Sequence, residues 1–424
     1  MTGAPVLRQA GDADRATEGK SRLGGHYWRL WWANTINSVG DGAFVAALPL
    51  LAVSVTTDPR DISAIATATY LPWLLLSLPV GVIVDRYDRA TLMWRCQAFQ
   101  GVVVAGVALA AATGHTSIPL LLAASFLLGS AQVVITNAAQ SVLPQLVPAP
   151  LLQRANANQY VVQTLGQSML GPPLGSLLFV VAAALPFGLD AASFALSAFL
   201  LFTLPRIEKG SRRESSMRAE MTEGLLWLKR HRLLRTLAFM LGMNTFCHQM
   251  GFATLVLFAT QTLHLSYRDY GLMLVGVGVG SIIGGFVNSR IARWLGPLPA
   301  LLLSYAANAV IYIAMGLAPN GGALTILLGA CGLVVTVTSI VTVSLRQQMV
   351  PDRLLGRVNS VYRMIGWGLM PVGSLLGGLI AQHFGLRAPF LGAGAIRIVV
   401  LLLAAPIVIG SIRKMGTSSS SPTG

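Results

Sequence analysis

Residues 62–84 and 118–147 each pass without one charged side chain, and 388–409 holds only Arg397. Each run is long enough to cross a bilayer, which takes about 20 apolar residues in a helix. No other feature constrains the fold as hard, because a chain in lipid must satisfy its backbone hydrogen bonds internally. Hydrophobic residues make up 54% and charged residues 11% of the 424-residue chain. A water-soluble fold could not hide that much apolar surface. The implied class is an all-α, multi-pass membrane protein.

Apolar windows set off by Gly, Pro and charge predict twelve spans. They lie near 28–55, 62–84, 92–113, 117–146, 156–184, 186–205, 233–263, 268–289, 297–317, 321–349, 355–383 and 388–411. Lys and Arg gather in alternate connections: the N-terminal tail, 85–95, Arg154, 206–235, 290–293, 346–363 and Arg413 with Lys414. The other connections hold only Arg60, Arg268 and Arg387. By the positive-inside rule, both termini face the cytoplasm and the chain sits in the cytoplasmic membrane. The net charge of +15 therefore records topology, and no nucleic-acid partner is implied. Cys96, Cys247 and Cys331 are scattered through apolar stretches, which suits neither a disulfide framework nor a zinc site. The polar first 26 residues contain no apolar signal-peptide core.

The connection 206–232 divides the spans six and six. Five regions are expected: an N-terminal tail (1–27), a first half (28–205), a linker (206–232), a second half (233–411) and a C-terminal tail (412–424). Met217, Met221, Leu225 and Leu228 fall on one helical face of the linker, which reads as a helix lying on the inner membrane surface. An offset of 203 residues superposes the halves without gaps: Asp41 on Asn244, Gly81 on Gly284, Asp85 on Asn288, Pro148 on Pro351, Arg154 on Arg357, Gly175 on Gly378. Two six-span halves in parallel repeat are the build of major facilitator transporters, which hold substrate between the halves.

The stretch GVIVDRYDR, with Gly81, Asp85, Arg86 and Arg89, resembles the signature of the major facilitator loop between spans two and three. The resemblance implies a latch that shuts the cytoplasmic side in the outward-open state. The bland alternative is a basic hairpin that only fixes topology. Its repeat, GGFVNSRIAR, keeps the basic residues and has Asn288 in place of the acid. Spans four to six, from FLLGSAQVVITNAAQ to LDAASFALSAFLL, are similar to the drug–proton antiporter branch that includes macrolide-efflux and enterobactin-exporter proteins. Gly171, Pro172, Pro173 and Gly175 resemble that branch's exporter motif, and they suit a kinked, closely packed gate helix. A purely structural kink is the alternative. Span four lacks the buried Arg of other antiporter branches, so Arg-assisted proton release does not carry over.

Asn34, Asn37 and Asp41 share one face of span one, and Asp41 lies about 16 Å from its inner end, near the midplane. A carboxylate there is protonated, paired or facing water, which makes Asp41 the candidate proton carrier. A hydrogen-bonded structural acid is the competing reading. His248 is a second proton-coupling candidate, although a lone membrane His also serves simple hydrogen bonding. Polar stripes mark the first span of every three-helix unit: Gln132, Thr136, Asn137 and Gln140 on span four. Asn244 and Gln249 lie on span seven, and Thr338, Thr342 and Arg346 on span ten. In the family these helices line the cavity. Arg363 and Arg397 are intramembrane cations in need of partners, with Asp190 placed near an outer end.

GVGVGS (276–281) lies inside an apolar span with no preceding strand, and EGKS (18–21) lacks the upstream glycine of a phosphate loop. No nucleotide site, cofactor or metal is therefore expected. A membrane enzyme or sensor would need His and Asp clustered at a span end, and the sequence has none. The reading is a monomeric secondary transporter, not an enzyme, that exports amphipathic drugs or natural products by proton antiport with alternating access. Its partners are a small-molecule substrate, protons and the lipid bilayer. The alternative cargo is a single metabolite, such as a siderophore or a lipid-like molecule.

Overall fold

The computed structural model describes residues 23–205 and 217–418, and among them it contains helices and no strands. The helices are α1 Gly25–Val55, α2 Pro59–Arg86, α3 Arg89–Ala112, α4 Ile118–Leu146, α5 Leu152–Val181 and α6 Leu185–Phe202. The linker helix α7 is Met217–Arg230. There follow α8 Arg232–Phe252, α9 Tyr267–Leu295, α10 Pro297–Gly316, α11 Gly321–Met349, α12 (Asp352–Gly368 and Met370–Phe384) and α13 Ala388–Ser418. Ten described helices are long and apolar enough to cross a membrane. Two further long helices, α2 and α8, pack lengthwise among them.

Local chemistry marks the helix starts. Asp88, Ser266 and Asn320 accept hydrogen bonds from the backbone N–H groups of Thr91, Asp269 and Ala323, capping α3, α9 and α11. Pro49, Pro72, Pro79 and Pro406 stand inside helices, which neighbouring helices make tolerable in a bundle. α5 contains a π-helical turn at Leu165–Leu170 immediately before Gly171 and Pro172.

Packing repeats between the halves as the sequence offset requires. In the first half α1 lies on α5 and α6, α2 on α4, and α3 on α4 and α6. In the second, α8 lies on α12 and α13, α9 on α11, and α10 on α11 and α13. The halves meet through α2 against α12 and α5 against α9, two contacts that exchange under the same pseudo-twofold.

The core shows where the halves join. One apolar cluster runs across both, with Leu50, Leu51, Ile62, Leu121 and Phe187 from the first and Met250, Phe258, Tyr312 and Phe390 from the second. It occupies the short-loop end, beside the connections after Val55, Val181, Gly316 and Phe384. Toward the linker end the core splits. Leu30, Trp73, Val84, Met93, Val142 and Leu201 belong to the first half alone. Leu234, Leu301, Val341, Leu345, Val358 and Val408 belong to the second. Packing of α5 on α9 is likewise carried by residues from Leu165 onward. The apolar core is thus shared between the halves at the short-loop end and divided between them toward the linker end.

α7 does not lie free on a surface. Leu228 is buried with Leu234 in the second-half core, Gly224 sits against the backbone of Arg357, and Glu223 pairs with Arg357. Leu225 is exposed, so the expected single apolar face is divided between the protein and its surroundings. The side chains of Met217 and Met221 lie outside the described residues.

Candidate functional site

Asp41 stands at the middle of α1. Its Oδ2 accepts hydrogen bonds from Asn37 Nδ2 (3.0 Å) and from Gln167 Nε2 (3.1 Å) across on α5. Two turns toward the linker end, Asn34 donates to Gln159 Oε1 at 2.8 Å. Among the described residues no cation pairs with Asp41; neutral amides hold it. The π turn sets this geometry. An extra residue per turn shifts the phase of α5, so that Gln167 turns to Asp41 while Gly166 meets Ser38 and Gly171 meets Gly42.

The exporter-type motif follows directly. A Cβ on Gly171 would collide with the backbone of Gly42, so α1 and α5 touch backbone to backbone. On the opposite flank, the Pro172 carbonyl and Ser176 face Gly271 of α9. Gly171, Pro172, Pro173 and Gly175 are therefore wedged between α1 of their own half and α9 of the other.

Asp190 is not remote from this centre. It is buried on α6 with its carboxyl against Gly40, within reach of the Asp41 charge, and accepts from Ser193 Oγ at 3.3 Å. The small residue at position 40, where a Cβ would meet Ser193 and Asp190, is the only sequence signal for this approach.

The equivalent place in the second half holds a cation. Arg397, on α13 and 3% exposed, donates from Nε to Asn244 Oδ1 (3.1 Å) and from an Nη to the Asn244 carbonyl (3.1 Å). Its guanidinium lies 3.7 Å from the centre of the Tyr312 ring, a cation–π contact. Asn308 also donates to Asn244 Oδ1, at 3.2 Å. His248 bonds Tyr312 through Nδ1 at 2.7 Å and stacks on Phe252, so it belongs to this network and not to that of Asp41. Asn244, the repeat mate of Asp41, is the partner that the sequence reading lacked for Arg397. Asn244→Ala is expected to strand two donors, one of them charged, and to lower the thermal midpoint of the purified protein. Loss of such bonds costs about 1–3 kcal/mol. Asn244→Asp is expected to hold the midpoint, because it offers the guanidinium a carboxylate.

The remaining candidates divide. Gln132 accepts from Gln100 at 3.4 Å, Asn137 donates to the Val133 carbonyl at 2.7 Å, and Thr136 is half-buried. Gln249 is buried opposite Tyr70 of α2, across the seam between halves. Thr338 and Thr342 are buried with unpartnered hydroxyls, whereas Arg346, on the same face, is half-buried. Gln140 and the latch residues Gly81, Asp85 and Arg86 lie outside the residues whose side chains are described. Arg89 is buried at the start of α3, and the acid that caps this helix is Asp88, which the D-x-x-T spacing could have revealed. Among the described residues no group of His, Cys, Asp or Glu could hold a metal.

Two pseudo-symmetric helical halves that share one apolar core at the short-loop end define a membrane transporter of the major facilitator superfamily. The chain belongs to the transmembrane secretion effector family, whose sequence profile matches residues 24–422. It is 24% identical over 404 residues to the enterobactin exporter EntS of Citrobacter koseri, covering 93% of this chain and 94% of that one. It is 25% identical over 379 residues to the multidrug efflux pump Tap of Mycobacterium tuberculosis, covering 85% and 88%. Among solved structures it resembles the nucleoside transporter NupG (TM-score 0.71, 11% identity, 90% of this chain and 99% of that one). It also resembles a bacterial homologue of the iron transporter ferroportin in an inward-facing state (TM-score 0.69, 16% identity, 91% and 98%).

Proposed function

We propose that the protein is a monomeric secondary exporter of amphipathic small molecules, driven by inward proton flow and working by alternating access. The observation that carries this reading is Asp41. It is an acid at mid-helix inside the first half, cradled between α1 and α5 by neutral amide donors with no cation paired to it among the described residues. Twelve spans, with α7 and residues 206–232 as a linker between halves 28–205 and 233–411, complete the proposal. The linker end and both tails (1–27 and 412–424) face the cytoplasm, following the Lys and Arg distribution. The described conformation is then inward-facing: the short-loop side is sealed by the shared core and the cytoplasmic side is divided. Gly81, Asp85, Arg86 and Arg89 form the latch of the opposite state.

A dedicated metabolite exporter is the second reading, favoured by the likeness to the enterobactin exporter. Transport into inside-out vesicles decides the first question. Ethidium accumulation that rises with an imposed pH gradient and collapses with a protonophore supports antiport. Accumulation indifferent to the gradient sinks it. A panel of drugs against a catecholate siderophore then separates broad from dedicated export.

A further inference from the structure

Arg346, in the last turns of α11, and Arg363, on the first segment of α12, lie within reach of each other's charge at the linker end of the second half. Both are half-buried, and among the described residues neither forms an ion pair or a hydrogen bond to a protein acceptor. Arg346 Nε and Arg363 Nη1 are buried without a partner. The one compensation is the Tyr362 ring, 4.6 Å from the Arg346 guanidinium. Holding two half-buried cations together, each with a nitrogen shielded from water and no counter-charge, is costly, and a bound anion offsets it.

Their place in the fold says what kind of anion. Trp367, one turn beyond Arg363, packs tilted against Trp73 of α2, ring centres 4.1 Å apart. Arg363 therefore shares the face of α12 turned to the other half, at the end where each half has its own apolar core. Deeper along α11, on the Arg346 face, Thr342 and Thr338 are buried with unpartnered hydroxyls. We propose that Arg346 and Arg363 bind the acidic head group of the cargo at the open end of the cleft, so that the exported molecules are amphipathic anions. This rests on the export reading and deepens it: the acids Asp41 and Asp190 lie in one half, and the site for an acidic head group lies in the other.

The test is equilibrium binding to the purified full chain in a neutral detergent, which needs no gradient. It therefore succeeds or fails independently of proton coupling. The probes are 11-(dansylamino)undecanoic acid and its primary amide, identical in apolar body and different in charge. The wild type is expected to bind the acid about tenfold tighter, the value of one charge-assisted bond pair. Arg346→Gln and Arg363→Gln should each bring the two probes toward parity, whereas the lysine variants keep most of the preference. A second measurement needs no variant: the advantage of the acid should shrink between about 0.05 and 0.5 M salt while amide binding holds. Equal affinities in the wild type, or a preference that survives the double glutamine variant, overturn the proposal. Loss of acid binding on adding phosphatidylglycerol, but not phosphatidylcholine, assigns the pair to a lipid head group and overturns the cargo assignment.

Discussion

Asp41→Asn is expected to abolish gradient-driven accumulation while leaving insertion and substrate binding intact. One proton exchanged against a gradient of one pH unit supports about a tenfold concentration ratio. Asparagine is isosteric, and its carbonyl can still accept from Asn37 and Gln167. The packing of α1 on α5 should therefore survive, with normal yield and a monodisperse purified protein. What disappears is the ionisable oxygen. In inside-out vesicles the variant should equilibrate its cargo to a ratio near one, whatever the imposed pH difference. Accumulation equal to wild type would move proton coupling to another group, and Asp190, against the neighbouring Gly40, is the next to replace. His248 is a poorer choice, because its Nδ1 is already engaged by Tyr312 beside the Arg397 cation.

The second large effect concerns the seal. At the short-loop end Gly271 of α9 faces Ser176 of α5, and Gly378 of α12 faces Ser63 of α2. A Cβ at either glycine would overlap the serine side chain. The helix pairs that carry these two contacts, α5 with α9 and α2 with α12, are exchanged by the pseudo-twofold, so they close the same door from both flanks. Gly271→Val or Gly378→Val is expected to hold that end apart. Overpacking costs about 1–3 kcal/mol, which shifts a two-state equilibrium by about 5- to 150-fold. The readout is a cysteine placed at Thr67, whose hydroxyl reaches the Pro371 carbonyl across the seam at 3.4 Å. A membrane-impermeant maleimide applied from the short-loop side should label it faster in either valine variant than in the parent. Unchanged labelling in a well-expressed variant would mean that the helices absorb the extra volume without parting.

The long helices were legible because lipid makes one demand on every span. The span predicted at 321–349 coincides with α11, and that at 28–55 differs from α1 by three residues at one end. The repeat was legible as well, and it reappears as matched helix pairings. What periodicity missed depends on contacts between helices. Asp190 looks peripheral by its place in α6, yet it meets α1 because position 40 is a glycine. Gln167 lies on a regular stripe with Tyr160 and Gln163 only if α5 keeps one phase, and the π turn breaks that phase. Arg397 has Asn244 as its partner, 153 residues away, which no local rule supplies. Thr338 and Thr342 share the polar stripe of a cavity helix, yet they are buried in this conformation.

The undivided apolar cluster at the short-loop end has a thermodynamic meaning for the transport cycle. Opening the short-loop end requires parting first-half residues such as Leu50 and Phe187 from second-half residues such as Met250 and Phe390 within the one cluster that now shields them from water. Separating apolar faces requires work in proportion to the area wetted, about 25 cal/mol for each Å². Opening the short-loop end therefore carries a wetting cost that the closed arrangement does not. A transporter held together this way rests with its short-loop end shut, and each opening of that end must be driven.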